Sequence, residues 1–338
     1  MGLFSFTQEI AMDLGTANTI IIQDDKIVVD EPSVVALDRK TDQLIAIGED
    51  AQKMHGKAHE GIRTVRPLRD GVIADFGAAE QMMRGMIKKA TSHRSWFSSP
   101  SLKMVVCIPS GSTEVEIRAV RDSSVNAGGR EVYMIYEPMA AAIGIDVEAP
   151  EGNMIVDIGG GTTEIAVISL GGIVSNKSIR IAGDDLTEDV VEYMRRQHNI
   201  RVGERTAELI KIKVGSALTS LEDPPEDYIV RGPNQMTALP MEVPVSYQEI
   251  AHCIEKSISK IEAAILGALE QTPPELYADI VTKGIWLAGG GALLRGLDKR
   301  LTSKIGIPFN VAEDPLHAVA RGTGVALKNV DKFSFLRR

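Results

Sequence analysis

Cysteine is scarce in this chain. Two residues, Cys107 and Cys253, stand far apart in 338 positions. They give no disulfide framework and no zinc-ligand spacing, and they make a reducing cytoplasm the default compartment. No run of about 18 apolar residues is present, so no membrane-spanning helix is expected. The N-terminus has no basic stretch followed by an apolar one, so no signal peptide is read. Positive charge is in deficit: the net charge is −9 and the pI about 5.3. Bulk charge therefore argues against a nucleic-acid partner. Low-complexity tracts and long linkers are missing, so two halves of the chain should be tightly coupled. Two common phosphate motifs are also missing: there is no G-x-x-x-x-G-K-[ST] loop, and no G-x-G-x-x-G opening a helix after the first strand.

What is present reads as an ordinary globular protein, with 44% hydrophobic and 25% charged residues and a mean hydropathy near zero. The length favours two or more core units. Strand and helix patterns alternate, the mark of an α/β protein. Phe76, Ala79, Met83, Met86 and Ala90 recur at steps of three and four, which predicts a helix over 76–90. Thr113 with Glu116, and Ser246 with Glu249, read as capping boxes. After the second box, Ile250, Ile254, Ile258, Ile261 and Ile265 form the apolar stripe of one long helix. A second half begins near residue 151, and the Pro-rich stretch 221–245 reads as a peripheral subdomain.

Residues 154–168, MIVDIGGGTTEIAVI, run strand, acid, three glycines, two threonines, strand. Residues 10–22, IAMDLGTANTIII, have the same order. Asp13 and Asp157 are equivalent points 144 residues apart, an internal repeat of a β-hairpin with an acid at its bend. Each motif alone reads as a plain hairpin turn. As a matched pair they read as a phosphate clamp, in which backbone N–H groups of two facing turns hold phosphate oxygens. Asp13 and Asp157 would then lie near the metal that accompanies nucleoside phosphates. Magnesium keeps most of its waters, so they would hold it through water.

A third glycine element, LAGGGALLRG at 287–296, passes from strand to helix through Gly289, Gly290 and Gly291. It is either a helix N-terminus that offers N–H groups to an anion or sugar, or a βα turn that needs small residues. Glu208 and Lys211 share a helix face. They could hold a ribose or purine edge, or form a surface ion pair. Leu3, Phe4 and Phe6 at the N-terminus, and Trp96 with Phe97 beside Lys88, Lys89 and Arg94, are large apolar side chains in polar surroundings. They suit interface anchoring, or packing back onto the body.

These elements, in this order, resemble the actin-like ATPase superfamily. DLGTANT, DEPSVVALD, RPLRDGVIADF, EPMAAAIG, DIGGGTTEIAVISLGGIV, GERTAELIK, TPPELYADI and GGGALLRGLD resemble the MreB family of bacterial actins, and the resemblance covers nearly the whole chain. It implies an α/β actin-like ATPase fold: duplicated RNase-H-like domains and two smaller subdomains around a nucleotide cleft. Domain I would comprise 1–145 plus 315–338, with 33–65 as its small subdomain. Domain II would comprise 146–314, with 182–245 as its own. Carried over by position, Gly15, Thr16, Ala17 and Asn18 form the first phosphate turn and Gly159, Gly160, Gly161 and Thr162 the second. Glu208, Lys211 and Gly289, Gly290, Gly291 and Ala292 contact adenosine, and Asp13 and Asp157 surround magnesium. Glu137 and Thr162 position the attacking water. The resemblance further implies ATP and Mg2+ as cofactors, slow hydrolysis, self-assembly into filaments, and cell-shape control through cell-wall elongation proteins. It also implies a cytoplasmic location at the inner face of the membrane, with Leu3, Phe4, Phe6, Trp96 and Phe97 as contacts. Two other functions share such a core. A chaperone ATPase would need a peptide-binding domain after the core, for which 338 residues leave no room. A sugar or acetate kinase would need a substrate pocket, for which no motif stands out.

Overall fold

The computed structural model describes residues 7–91, 101–147, 151–333 and 335–337. Leu3, Phe4, Phe6, Trp96 and Phe97 lie outside them. The first half opens with three antiparallel strands, β1 (Thr7–Leu14), β2 (Asn18–Gln23) and β3 (Lys26–Pro32). A small sheet follows, of β4 (Val35–Asp38), β5 (Leu44–Ile47) and β6 (Ile62–Val65), flanked by α1 (Gly48–Met54). A short hairpin, β7 (Leu68–Arg69) and β8 (Val72–Ile73), leads into α2 (Phe76–Thr91), then β9 (Ser101–Ile108), α3 (Glu114–Asn126), β10 (Gly129–Tyr136) and α4 (Glu137–Ile145).

The second half repeats the plan. Three antiparallel strands come first: β11 (Asn153–Ile158), β12 (Thr163–Ser169) and β13 (Gly172–Ile179). Then come α5 (Gly183–Gln197), α6 (Glu204–Val214) and the hairpin β14 (Tyr228–Pro233) with β15 (Pro240–Val245). Helices α7 (Tyr247–Cys253), α8 (Glu255–Glu270) and α9 (Pro274–Lys283) lead to β16 (Ile285–Ala288), α10 (Leu297–Ile305), β17 (Phe309–Val311) and α11 (Ala318–Lys328).

The two large sheets have matching strand orders, β3-β2-β1-β9-β10 and β13-β12-β11-β16-β17. In each, the last two strands run parallel to the first. The hairpins match in register as well: Asp13 faces Ile20, and Asp157 faces Glu164. The repeat read from the sequence is thus a repeat of whole sheets.

Strand β11 is buried along its full length, as a strand covered on both faces must be. Its side chains alternate between two cores. Met154, Val156 and Ile158 face the core of the second half. Ile155 joins a cluster with Ala166, Ile168 and Ala288 on one side and Ala11, Val105 and Ile135 on the other. Helices α4 and α11 lie inside that cluster, so two helices form the layer between the two sheets.

Those helices cross with almost nothing between their backbones. A Cβ on Gly322 would stand 1.7 Å from the Ala140 carbonyl oxygen, and one on Gly144 1.9 Å from that of Ala318. Both predicted capping boxes form, at Thr113 and Ser246. The isoleucine stripe is fully buried as expected, but it belongs to two helices. The chain leaves α-helical geometry at Ile254 (φ −89°, ψ 2°) between α7 and α8. Apolar periodicity cannot register such a break, because the stripe continues on both sides of it.

The helix crossing yields a stability prediction. Gly322→Ala should lower the urea midpoint of unfolding, at a cost of about 1–3 kcal/mol for overpacking against rigid backbone. An unchanged midpoint would mean that the helices separate freely.

Candidate functional site

The β1–β2 and β11–β12 turns approach each other closely where the two halves meet. A Cβ on Gly160 would lie 2.8 Å from that of Ala17, and one on Gly161 2.8 Å from the Thr16 hydroxyl oxygen. Gly160 and Gly161 therefore have a reason beyond any ligand: side chains there would collide with the facing segments of the first half.

The carbonyls of both turns are engaged by the protein. Ser33 donates its hydroxyl to Gly15 O (2.6 Å) and its N–H to Ala17 O (2.8 Å). Gly183 and Asp184, opening α5, donate their N–H groups to Gly159 O (3.1 Å) and Gly160 O (2.8 Å). Asn18 donates its side-chain amide to Asp30 at 3.1 Å. Thr162, on the second turn, is buried, and its methyl would lie 2.7 Å from a Cβ on Gly71.

Behind the turns stand four carboxyl groups. Asp13 and Asp157 stand next to last on the central strands of their sheets, Glu137 opens α4, and Glu164 faces Asp157 from β12. Burial raises the Asp13 pKa to about 6, partly offset by the Cys107 thiol, which donates to Oδ1 at 2.9 Å. At Asp157 burial, aided by the charges of Asp13 and Glu164, raises the pKa to about 8. One buried Asp157 oxygen, Oδ1, has no hydrogen-bond partner. Burial first, and the three neighbouring acids second, push Glu137 well above the usual carboxylate range. Burial raises Glu164 as well, opposed by the N–H and hydroxyl of Ser110 and the hydroxyl of Ser178.

Sequence reasoning passed over Glu164. The signal was available: in an antiparallel pair, directly opposed residues share a face of the sheet. Counting across the hairpin from Asp157 reaches Glu164. Cys107 is buried, and its thiol meets Asp13.

Glu208 and Lys211 pair at 2.7 Å. Lys211 also donates to Gly183 O (2.8 Å) and the Thr187 hydroxyl (2.9 Å), and Thr187 donates to Glu208 (2.5 Å). The pair therefore ties α6 to the start of α5, beside the second turn. Gly289 sits at φ +77°, where a side chain would be strained and would lie 2.4 Å from Asp157 Oδ1. The glycines do not open an α-helix as one sequence reading had it. Gly290–Leu293 is a single 3-10 turn, and α10 starts only at Leu297, because Leu294 and Gly296 leave helical geometry. Ala292 is buried within that turn. The turn packs beside Asp157.

A family model described as MreB/Mbl protein matches residues 7–335. The chain belongs to the MreB/Mbl family. Among its relatives, the cell shape-determining protein Mbl of Bacillus subtilis (strain 168) is 44% identical over 330 residues, 97% of this chain and 98% of the relative. The cell shape-determining protein MreB of Escherichia coli (strain K12) is 46% identical over 333 residues, 96% and 95% of the two chains. The crystal structure of MreB5 of Spiroplasma citri bound to AMPPNP superposes with a TM-score of 0.89 at 37% identity, covering 96% of this chain and 97% of that one. A double helical filament of MamK matches in fold, with a TM-score of 0.79 at 20% identity and 96% and 99% coverage. The fold of this MreB/Mbl chain is thus the actin-like one, and among the described residues no helix is long and apolar enough to cross a membrane.

The raised carboxyls give a pH signature. A carboxyl that holds its proton more tightly in the folded than in the unfolded chain favours folding at low pH. That contribution is lost as pH rises from the ordinary carboxylate range through the folded value. With Asp13 near 6 and Asp157 near 8, the ligand-free protein should lose stability between about pH 4 and pH 8. Asp157→Asn should raise the thermal midpoint relative to wild type at pH 8 and change it little at pH 4. Parallel pH curves for the two proteins would contradict this electrostatic picture.

Proposed function

We propose that this chain is an ATP-binding, slowly ATP-hydrolysing bacterial actin. On this reading it polymerises into membrane-associated filaments and directs cell shape by organising cell-wall synthesis. The observation that carries the proposal is the meeting of two register-matched turns across a cleft backed by carboxyls. The relatives named cell shape-determining, and the related MreB5 bound to AMPPNP, support it.

In this reading Gly15, Thr16, Ala17 and Asn18 hold phosphate oxygens from one side and Gly159, Gly160 and Gly161 from the other. Magnesium fits the acids: their hard oxygens suit it, and Asp157 Oδ1 is buried without a partner. Asp13 and Asp157 would hold the ion through its waters, and the ion would neutralise charge on the phosphates. Among the described residues no group of three or more His, Cys, Asp or Glu side chains is placed to bind a metal directly, which fits water-mediated holding. Glu137 and Thr162 orient the attacking water. Burial and the neighbouring acids raise the proton affinity of Glu137, which makes it the stronger base once ionised. Glu208, Lys211 and the turn from Gly289 to Ala292 contact the nucleoside. Domain I is 1–145 with 315–338, and domain II is 146–314, with small subdomains at 33–65 and 182–245. Hydrolysis serves as a timer for filaments, so slow turnover suffices. The partners are other copies of the chain, the inner face of the cell membrane and cell-wall elongation proteins, with no nucleic acid.

Glu137→Gln should lower the rate of ATP hydrolysis by about a hundredfold or more while nucleotide binding persists. Wild-type protein with ATP should scatter light and show filaments in electron micrographs. Phosphorylation of a small alcohol or acid, without filaments, would favour the kinase reading instead.

Membrane contact is tested separately by co-sedimentation with anionic liposomes. Changing Leu3, Phe4, Trp96 and Phe97 to serine should abolish most of the binding. Full retention would remove these residues from the proposal.

A further inference from the structure

At the mouth of the cleft one guanidinium touches both halves. Arg66 follows β6 in the first half, and its partners open α5 and α6 in the second. Its Nη2 donates to Asp184 at 2.7 Å, and its Nη1 donates to Glu204. The same Nη2 lies 3.5 Å from the Thr16 carbonyl oxygen, on the first phosphate turn. Asp184 in turn donates its backbone N–H to Gly160 O, on the second. Arg66 is therefore one contact away from one turn and two from the other. The segment after it returns to the same place, since Gly71 donates its N–H to the Thr16 hydroxyl at 3.0 Å.

The chemistry is specific to arginine. A planar fork can serve two carboxylates and a carbonyl at once, which the point charge of lysine cannot do. The Arg66 side chain is 24% exposed and Asp184 35%, so this pair is partly shielded from solvent and salt. Glu204 is 50% exposed and contributes less. His55 Nε2 lies 3.9 Å from Glu204 and adds a second, weaker crossing from the first half.

We propose that Arg66 is a positioning residue that sets the spacing of the two phosphate turns and latches the cleft mouth, so that its release gates nucleotide exchange. This rests on the nucleotide-binding function proposed above. With the latch closed, Asp184 holds Gly160 near Thr16. Without Arg66, Asp184 keeps its partly buried charge but loses its partner, and the start of α5 is freed to move away from the first half.

The test compares wild type with Arg66→Ala, Arg66→Lys, Glu204→Gln and the Arg66→Ala/Glu204→Gln double variant. Dissociation of a fluorescent ATP analogue is followed by stopped flow, and circular dichroism confirms folding. Dissociation should accelerate about five- to tenfold for Arg66→Ala and by a smaller factor for Arg66→Lys. The double variant should be no faster than Arg66→Ala, because both changes open one latch. KM for ATP should rise while kcat at saturation stays within about twofold, as a gate rather than a catalytic group requires. Unchanged dissociation in a folded Arg66→Ala, or additive effects in the double variant, overturns the proposal. Amide hydrogen exchange on ligand-free protein separates the two inferences. Faster exchange at 66–73 and 183–187 in Arg66→Ala supports the latch, and unchanged exchange refutes it. Wild-type protein that binds no nucleotide sinks the functional reading, and with it the gate, whatever the exchange shows.

Discussion

Burial of several acids in one place, sharpened by their neighbouring charges, is the constraint around which this molecule is built. At Asp157 and Glu137, burial and neighbouring carboxyls act in the same direction, against charge. A fold that merely needed stability would not gather such groups where two sheets approach. The energetic cost is tolerable only because the surrounding structure is rigid: two large sheets of one plan, with two helices wedged between them. Removing a charge there relieves the penalty, and on the proposed reading a cation arriving with its polyanion would relieve it reversibly. That reversibility is what a protein that binds and releases nucleotide requires.

Rigidity near the acids contrasts with the construction of the cleft mouth. At its base Glu164 of the second half is fixed by Ser110 of the first, and Arg180 pairs with Glu116 at 3.1 Å. Glu164 is buried and Ser110 half-buried, whereas Arg180 of the outer pair is 58% exposed. Near the mouth the halves meet through the turns and through Arg66 and His55. Along this seam the exposed ion pairs break at less cost than the hydrogen bonds to buried Glu164.

Much of this was legible in the sequence, wherever the causes were local. The hairpins announced themselves through matched acids and glycines, and the caps at Thr113 and Ser246 through residues three positions apart. Glu164 lay within a motif already in view and was missed because the turn, rather than its register, held attention. The Arg66 contacts were not legible, since their partners stand 118 and 138 residues away and no short pattern links them. The break at Ile254 left no trace in periodicity. Nor can the sequence show that Ala17 and Thr16 of the facing turn stand where side chains at 160 and 161 would go.

The duplication is not perfect, and one departure from it has a directional effect. Where Asp157 faces Glu164 across its hairpin, the equivalent Asp13 faces Ile20, which is buried and uncharged. Two faithful copies would present a pseudo-symmetric field, and an elongated anion lying between them would gain nothing by pointing one way rather than the other. The first half instead carries its second carboxyl on Glu137 at the head of α4, so the two copies set the same number of acids in different places and the field between them is not symmetric.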